Sequence, residues 1–221
     1  MIDFIEKVKD SYWFTNESPF RIHYVNNNSK VCIITGQNAS GKSFLRKILS
    51  VRHEDENVEY IHLSQCGRSS SSGLMAVMVY GSEHENSTGY ISTKGIKGAI
   101  KTGIGRNKPF SIMLDEPEIG CSEELALSLS MKIKDNVDNM EHLNTLYIVT
   151  HSRNIVTPLL DLNPNYVNLH NSDDIAYPTI QDWLNRKIQP VDVDELYEKA
   201  NKNWSAVSKL INNRKKQNES N

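Results

Sequence analysis

Eight consecutive residues, Gly36-Gln37-Asn38-Ala39-Ser40-Gly41-Lys42-Ser43, combine the types needed to grip a polyphosphate. Gly36 and Gly41 let the backbone curl until successive N–H groups point at one phosphate, with Gln37, Asn38, Ala39 and Ser40 lending their main chain between them. A helix expected from about Ser40 adds the partial positive charge of its N-terminus. Lys42 then spans the β- and γ-phosphates, and the Ser43 hydroxyl ligates Mg²⁺. The run fits G-x-x-x-x-G-K-[ST] completely, and it predicts a site for ATP with Mg²⁺.

A second chemical pair, Asp115-Glu116, follows the apolar run Ser111-Ile112-Met113-Leu114. This is the Walker B arrangement. Asp115 is expected to hold Mg²⁺, directly or through water, and Glu116 to act as general base toward the attacking water.

These residues need elements to position them. Val31-Cys32-Ile33-Ile34-Thr35 runs straight into the glycine loop, and Leu146-Tyr147-Ile148-Val149-Thr150 ends at His151. All three apolar runs are continuous rather than alternating, which suits strands buried on both faces of a largely parallel sheet. Ligands of such sheets bind beyond the carboxyl ends of the strands, where all three runs carry polar residues. Helices are expected over Ser40–Val51, over Ile96–Ile104 and over Glu123–Val137, the last with Leu125, Leu129 and Ile133 in phase. Ahead of the loop, Phe4 to Val25 reads as antiparallel strands with a turn near Ser18-Pro19. From Val193 to about Asn213, Leu196, Ala200, Trp204, Val207 and Leu210/Ile211 fall along one face of an amphipathic helix, followed by a solvated tail. The fold class expected is α/β: a P-loop nucleotide-binding domain with a largely parallel central sheet flanked by helices, as a single domain over 1–221.

Bulk properties narrow the function classes. With 221 residues the chain can bury a substantial core. Its 25 Lys and Arg against 27 Asp and Glu give a net charge of −2, so the whole chain carries no footprint for a polyanion. Cys32, Cys66 and Cys121 form neither a disulfide framework nor a zinc pattern. No apolar run reaches the ~18 residues of a membrane span, and the N-terminal MIDFIEKVKD lacks the apolar stretch of a signal peptide. A cytoplasmic protein is expected.

The string Leu114-Asp115-Glu116-Pro117-Glu118-Ile119-Gly120, with Ser87-Thr88-Gly89 and Thr150-His151-Ser152-Arg153, resembles the ABC-type ATPases. More narrowly, it is similar to the small single-domain ABC-like ATPases of phages and bacteria, from about Tyr12 to Asn168. The resemblance implies that His151 is the switch histidine at the γ-phosphate. It implies that Gln65 is the glutamine sensing Mg²⁺ and the attacking water. It also implies that Ser87 and Gly89 form the signature contacting ATP in the opposite subunit of a head-to-tail homodimer, with a helix from about Ile96 aimed at that phosphate. One of Tyr12, Trp13 and Phe14 is the candidate to stack on adenine, with core packing the alternative for each. Tyr90 stands in place of the glutamine that ends a transporter signature, and Ser122 in place of a D-loop aspartate; both depart from transporter motors.

Ser69 to Ser72 reads as a loop, and Arg153 as either a phosphate contact or a brace. Lys94, Lys97, Lys101, Arg106 and Lys108 cluster around the signature helix, as a solvated face or as a nucleic-acid contact. Three functions remain open at this point: an ABC-type ATPase working as a homodimer, an ATP-gated binding module of a DNA repair, replication or phage–host defence complex, and a P-loop kinase.

Overall fold

The computed structural model describes residues 2–15, 17–64 and 87–219, with side chains through Arg214. The elements follow in the order α1 (Phe4–Lys9), β1 (Phe20–Val25), β2 (Val31–Gly36), α2 (Lys42–Asp55), β3 (Glu59–Ser64), α3 (Thr88–Ile104), β4 (Phe110–Asp115), α4 (Glu123–Lys134), β5 (Leu143–Val149), α5 (Arg153–Leu159), β6 (Asn165–Asn171), α6 (Ile180–Asn185) and α7 (Val193–Glu219). The fold is α/β, with a six-stranded, mostly parallel sheet in the order β1-β6-β2-β5-β4-β3 among the described residues. None of their helices is long and apolar enough to cross a membrane.

Two compact units divide the chain. The first comprises Met1–Ile2, Asn26–Thr35 and Ser50–Tyr166; the second comprises Asp3–Val25, Gly36–Leu49 and Val167–Asn221.

In the first unit β2 pairs with β5, β5 with β4 and β4 with β3, all parallel. The apolar continuity expected of doubly covered strands holds: Ile33, Ile112, Met113, Leu146 and Ile148 are all buried. The registers put Ile34, Val149, Asp115 and Ser64 in one row across the four strands. The carboxyl ends of these strands are therefore level.

The second unit corrects two readings. Phe4–Lys9 is a helix rather than one of a pair of antiparallel strands. Its buried residues Phe4, Ile5 and Val8 lie at helical spacing, and the Asp3 carboxylate accepts from the Glu6 N–H at 3.0 Å as N-cap. Among the described residues of the N-terminal stretch, only Phe20–Val25 is a strand. In α7 the covered stripe runs through Leu196, Lys199, Asn203, Val207 and Leu210, rather than through Ala200 and Trp204. Trp204 is 68% exposed while Asn203 is buried. The phase is turned because Asn203 makes two hydrogen bonds inside the unit, an attachment that apolar periodicity does not register.

Candidate functional site

The glycine loop follows β2 in the chain and, in the second unit, enters α2 at Lys42. Its curl depends on two left-handed residues, Ala39 at φ 60° and Gly41 at φ 98°. A side chain at Gly41 would also meet the Phe20 ring at 2.7 Å. At Gly36 a Cβ would strike the Ser40 hydroxyl and come within 2.5 Å of the Leu169 carbonyl oxygen. Both glycines are thus demanded by space, and Gly41 by conformation as well.

Lys42 turns back over the loop, donating to the carbonyls of Gly36 at 3.0 Å and Gln37 at 2.9 Å. Gln37, Asn38 and Ser43 are exposed, whereas Ser40 is buried and its hydroxyl has no hydrogen-bond partner among the described residues. Asn203 of α7 braces the loop from behind, giving its side-chain amide to the Ala39 carbonyl at 2.9 Å and to Asn171 Oδ1 at 3.2 Å. No motif announced Asn203; its place on an otherwise mixed helix gives no signal in one sequence.

Of the adenine candidates, Phe14 is buried and serves the core. Trp13 packs edge-on against Phe44 with centroids 5.4 Å apart, immediately after Ser43. Tyr12 lies 4.1 Å from Trp13, centroid to centroid, and carries the Arg214 guanidinium 4.7 Å above its ring.

In the first unit the strand ends bring together the two acids and His151. Glu116 sits at φ 53°, a strained conformation for a non-glycine residue, and its N–H donates to the Val149 carbonyl at 2.8 Å. Its Oε1 lies 3.5 Å from His151 Nε2. Asp115 Oδ2 lies 3.5 Å from Nε2 of His62 on β3, a residue that no motif marks. Glu118 holds the arrangement: its Oε1 accepts from the Thr150 hydroxyl at 2.7 Å and from the His151 N–H at 3.0 Å. This contact gives the third acid of the Asp115-Glu116-Pro117-Glu118 run a positioning task that the run itself does not reveal.

The start of α3 packs against the same loop. Ser87 is the N-cap of α3, accepting from the Tyr90 N–H at 3.4 Å. Gly89 is buried, and a Cβ there would come within 2.8 Å of the Gly120 carbonyl oxygen. Gly120 has φ 76°, and its own Cβ position is filled by Thr88. The Ser92 hydroxyl donates to the Ile119 carbonyl at 3.0 Å. Gly89 is therefore required by packing within the chain, and the stretch from Glu116 to Gly120 is tied to the signature candidate. Ser122, at the aspartate position of transporters, caps α4 by accepting from the Leu125 N–H at 3.3 Å. Gln65 and Ser69 to Ser72 lie outside the described residues.

No protein-family model matches the chain, and no curated protein matches it in sequence. Among solved structures it is similar to the crystal structure of Cdc6p from Pyrobaculum aerophilum, at 12% identity and a TM-score of 0.33. That match covers 59% of this chain and 36% of the other, and at such a score it carries no argument about fold or function.

Proposed function

We propose that this chain binds ATP with Mg²⁺ and hydrolyses it as a small ABC-type ATPase, holding the nucleotide between two head-to-tail copies. The observation that carries the reading is the Glu116–His151 pair, 3.5 Å apart at the ends of parallel strands. It occurs in a chain whose β2 runs into Gly36–Ser43 two residues beyond Ile34. A phosphate loop alone says that a phosphate is held. A carboxylate facing a histidine, with an aspartate one residue earlier, adds the groups that hydrolysis needs.

The loop fits a phosphate on its own features. Two left-handed residues shape its main chain, a buried Ser40 hydroxyl is without a partner among the described residues, and the Gly41 position leaves no room for a side chain. In the proposed cycle Lys42 exchanges the Gly36 and Gln37 carbonyls for β- and γ-phosphate oxygens. Ser43 and Asp115 are the oxygen ligands this chain offers to Mg²⁺, an ion that takes one or two carboxylates and completes its shell with phosphate and water. Mg²⁺, when bound, neutralises charge on the transferring phosphoryl group. Glu116 orients the water and takes its proton, and His151 donates to the γ-phosphate. Gln65 is proposed as a further contact to the water and metal, and Ser87 as the contact to ATP of the opposite copy.

Isothermal titration with Mg-ATP tests the binding half. The wild type binds, and Lys42→Ala together with EDTA treatment removes the heat. Unchanged affinity in Lys42→Ala overturns the assignment of the loop.

A further inference from the structure

Helix α3 runs for 17 residues without a carboxylate, while Lys94, Lys97 and Lys101 stand along one exposed stripe. Exposed Tyr90 lies one turn before Lys94 on that stripe, and exposed Lys108 follows the helix. None of these four lysines makes a hydrogen bond or ion pair with a described residue. Arg106 differs: it pairs with Glu59 and stacks over Phe110. The stripe also holds Gly98, where an added Cβ would meet no described residue within 4 Å.

Two features of this face work against the helix. Like charges three and four residues apart repel, with no acid between them to compensate. Glycine is the poorest helix former after proline. Two other glycines of α3 have packing reasons, Gly89 against Gly120 and Gly103 against Met140. Gly98 has none among the described residues, and neither do the lysines. A polyanion brought close from outside answers both.

We propose that this face of α3 is a docking surface for the sugar–phosphate backbone of a nucleic acid. Lys94 to Lys101 cover about 10 Å of helix axis, the rise of roughly three nucleotides of one strand. Gly98, between them, lets the backbone approach the helix without a side chain in the way, and Tyr90 offers a ring face to a base. A membrane surface fits less well. An interfacial helix needs an apolar face free to enter lipid, and the apolar face of α3, with Ile91, Ile96 and Ile100, is buried in its own unit. The inference stands apart from the ATPase proposal and does not need nucleotide.

The test is fluorescence anisotropy of the full chain with a labelled 20-nucleotide single strand and a 20-base-pair duplex, from 50 to 200 mM salt. Three backbone contacts weaken binding about 20- to 40-fold over that range. Lys94→Glu/Lys97→Glu/Lys101→Glu is expected to lower affinity at least 30-fold and to flatten the salt slope by about two to three. Gly98→Leu is expected to lose about tenfold in affinity while its thermal midpoint stays or rises, an outcome that a folding defect does not produce. Lys202→Glu/Lys209→Glu, on α7, serves as the control and keeps both affinity and slope. The proposal is overturned if the wild type binds neither oligonucleotide at 50 mM salt, or if the triple variant binds with unchanged affinity and slope. It is overturned equally if phosphatidylserine vesicles capture the wild type through these lysines while the oligonucleotides do not.

Discussion

Asn203 gives its side-chain amide to the main-chain carbonyl of Ala39, 2.9 Å away, so the last helix of the chain holds the back of the phosphate loop. Ala39 is one of the loop's two left-handed residues, and its carbonyl direction fixes how the next N–H groups face. Asn203→Leu leaves that carbonyl and Asn171 Oδ1 without this donor, at a cost of about 1–3 kcal/mol. The expected result is an ATP affinity weakened about tenfold, with turnover at saturation changed less than twofold. Titration calorimetry and steady-state kinetics separate the two; a wild-type affinity refutes the bracing role.

The loop itself was legible because its chemistry is contiguous. Glycines, lysine and serine stand within eight residues, between an apolar strand and a helix, and no distant partner is needed to recognise them. β6 was not legible for the opposite reason. Asn165, Asn168 and Asn171 interrupt Tyr166, Val167 and Leu169, and so break the apolar run that marks a covered strand. Each asparagine is satisfied by a partner elsewhere: Asn165 Oδ1 accepts from Asn27 N–H at 2.8 Å, Asn168 Oδ1 from Tyr177 N–H at 2.9 Å, and Asn171 meets Asn203. The same physics turned the face of α7. Buried polar residues follow their hydrogen bonds, which local periodicity does not contain. Of the site, Asp115, Glu116 and His151 were readable from strand ends, whereas the Glu118 staple and the His62 contact depend on registers between strands.

That register allows a direct check on α7. Val207 is 4% exposed and Trp204 is 68% exposed. Val207→Ala is expected to cost about 2 kcal/mol, lowering the thermal midpoint by about 4–8 °C. Trp204→Ala is expected to stay within about 0.5 kcal/mol of wild type. The reverse order in thermal melts would restore the face read from hydrophobicity alone.

Gly41→Ala combines a left-handed backbone, at about 1–2 kcal/mol, with a Cβ driven into the Phe20 ring. The expected outcome is a lowered thermal midpoint and loss of measurable ATP binding. Gly98→Ala, where the helix is open, is expected to stabilise by up to about 1 kcal/mol. Equal effects of the two substitutions in the same melts would contradict the loop geometry.

Glu118 accepts from both the Thr150 hydroxyl and the His151 N–H, so its removal acts on the pair through position rather than chemistry. Glu118→Ala is expected to lower kcat about 10- to 100-fold with a KM for ATP within threefold of wild type. Thr150→Val, which removes one of the two bonds, is expected to fall between. If Glu118→Ala raises KM and spares kcat, the residue belongs to nucleotide binding instead.

The most direct measurement of the whole account uses Glu116→Gln, which keeps the shape of the side chain and removes its basicity. Turnover of Mg-ATP by this variant is expected to fall at least 100-fold, while light scattering after size exclusion finds a dimer with Mg-ATP and a monomer without it. Wild-type turnover, or an unchanged molecular mass with nucleotide, would contradict hydrolysis by Glu116 in an ATP-bridged pair.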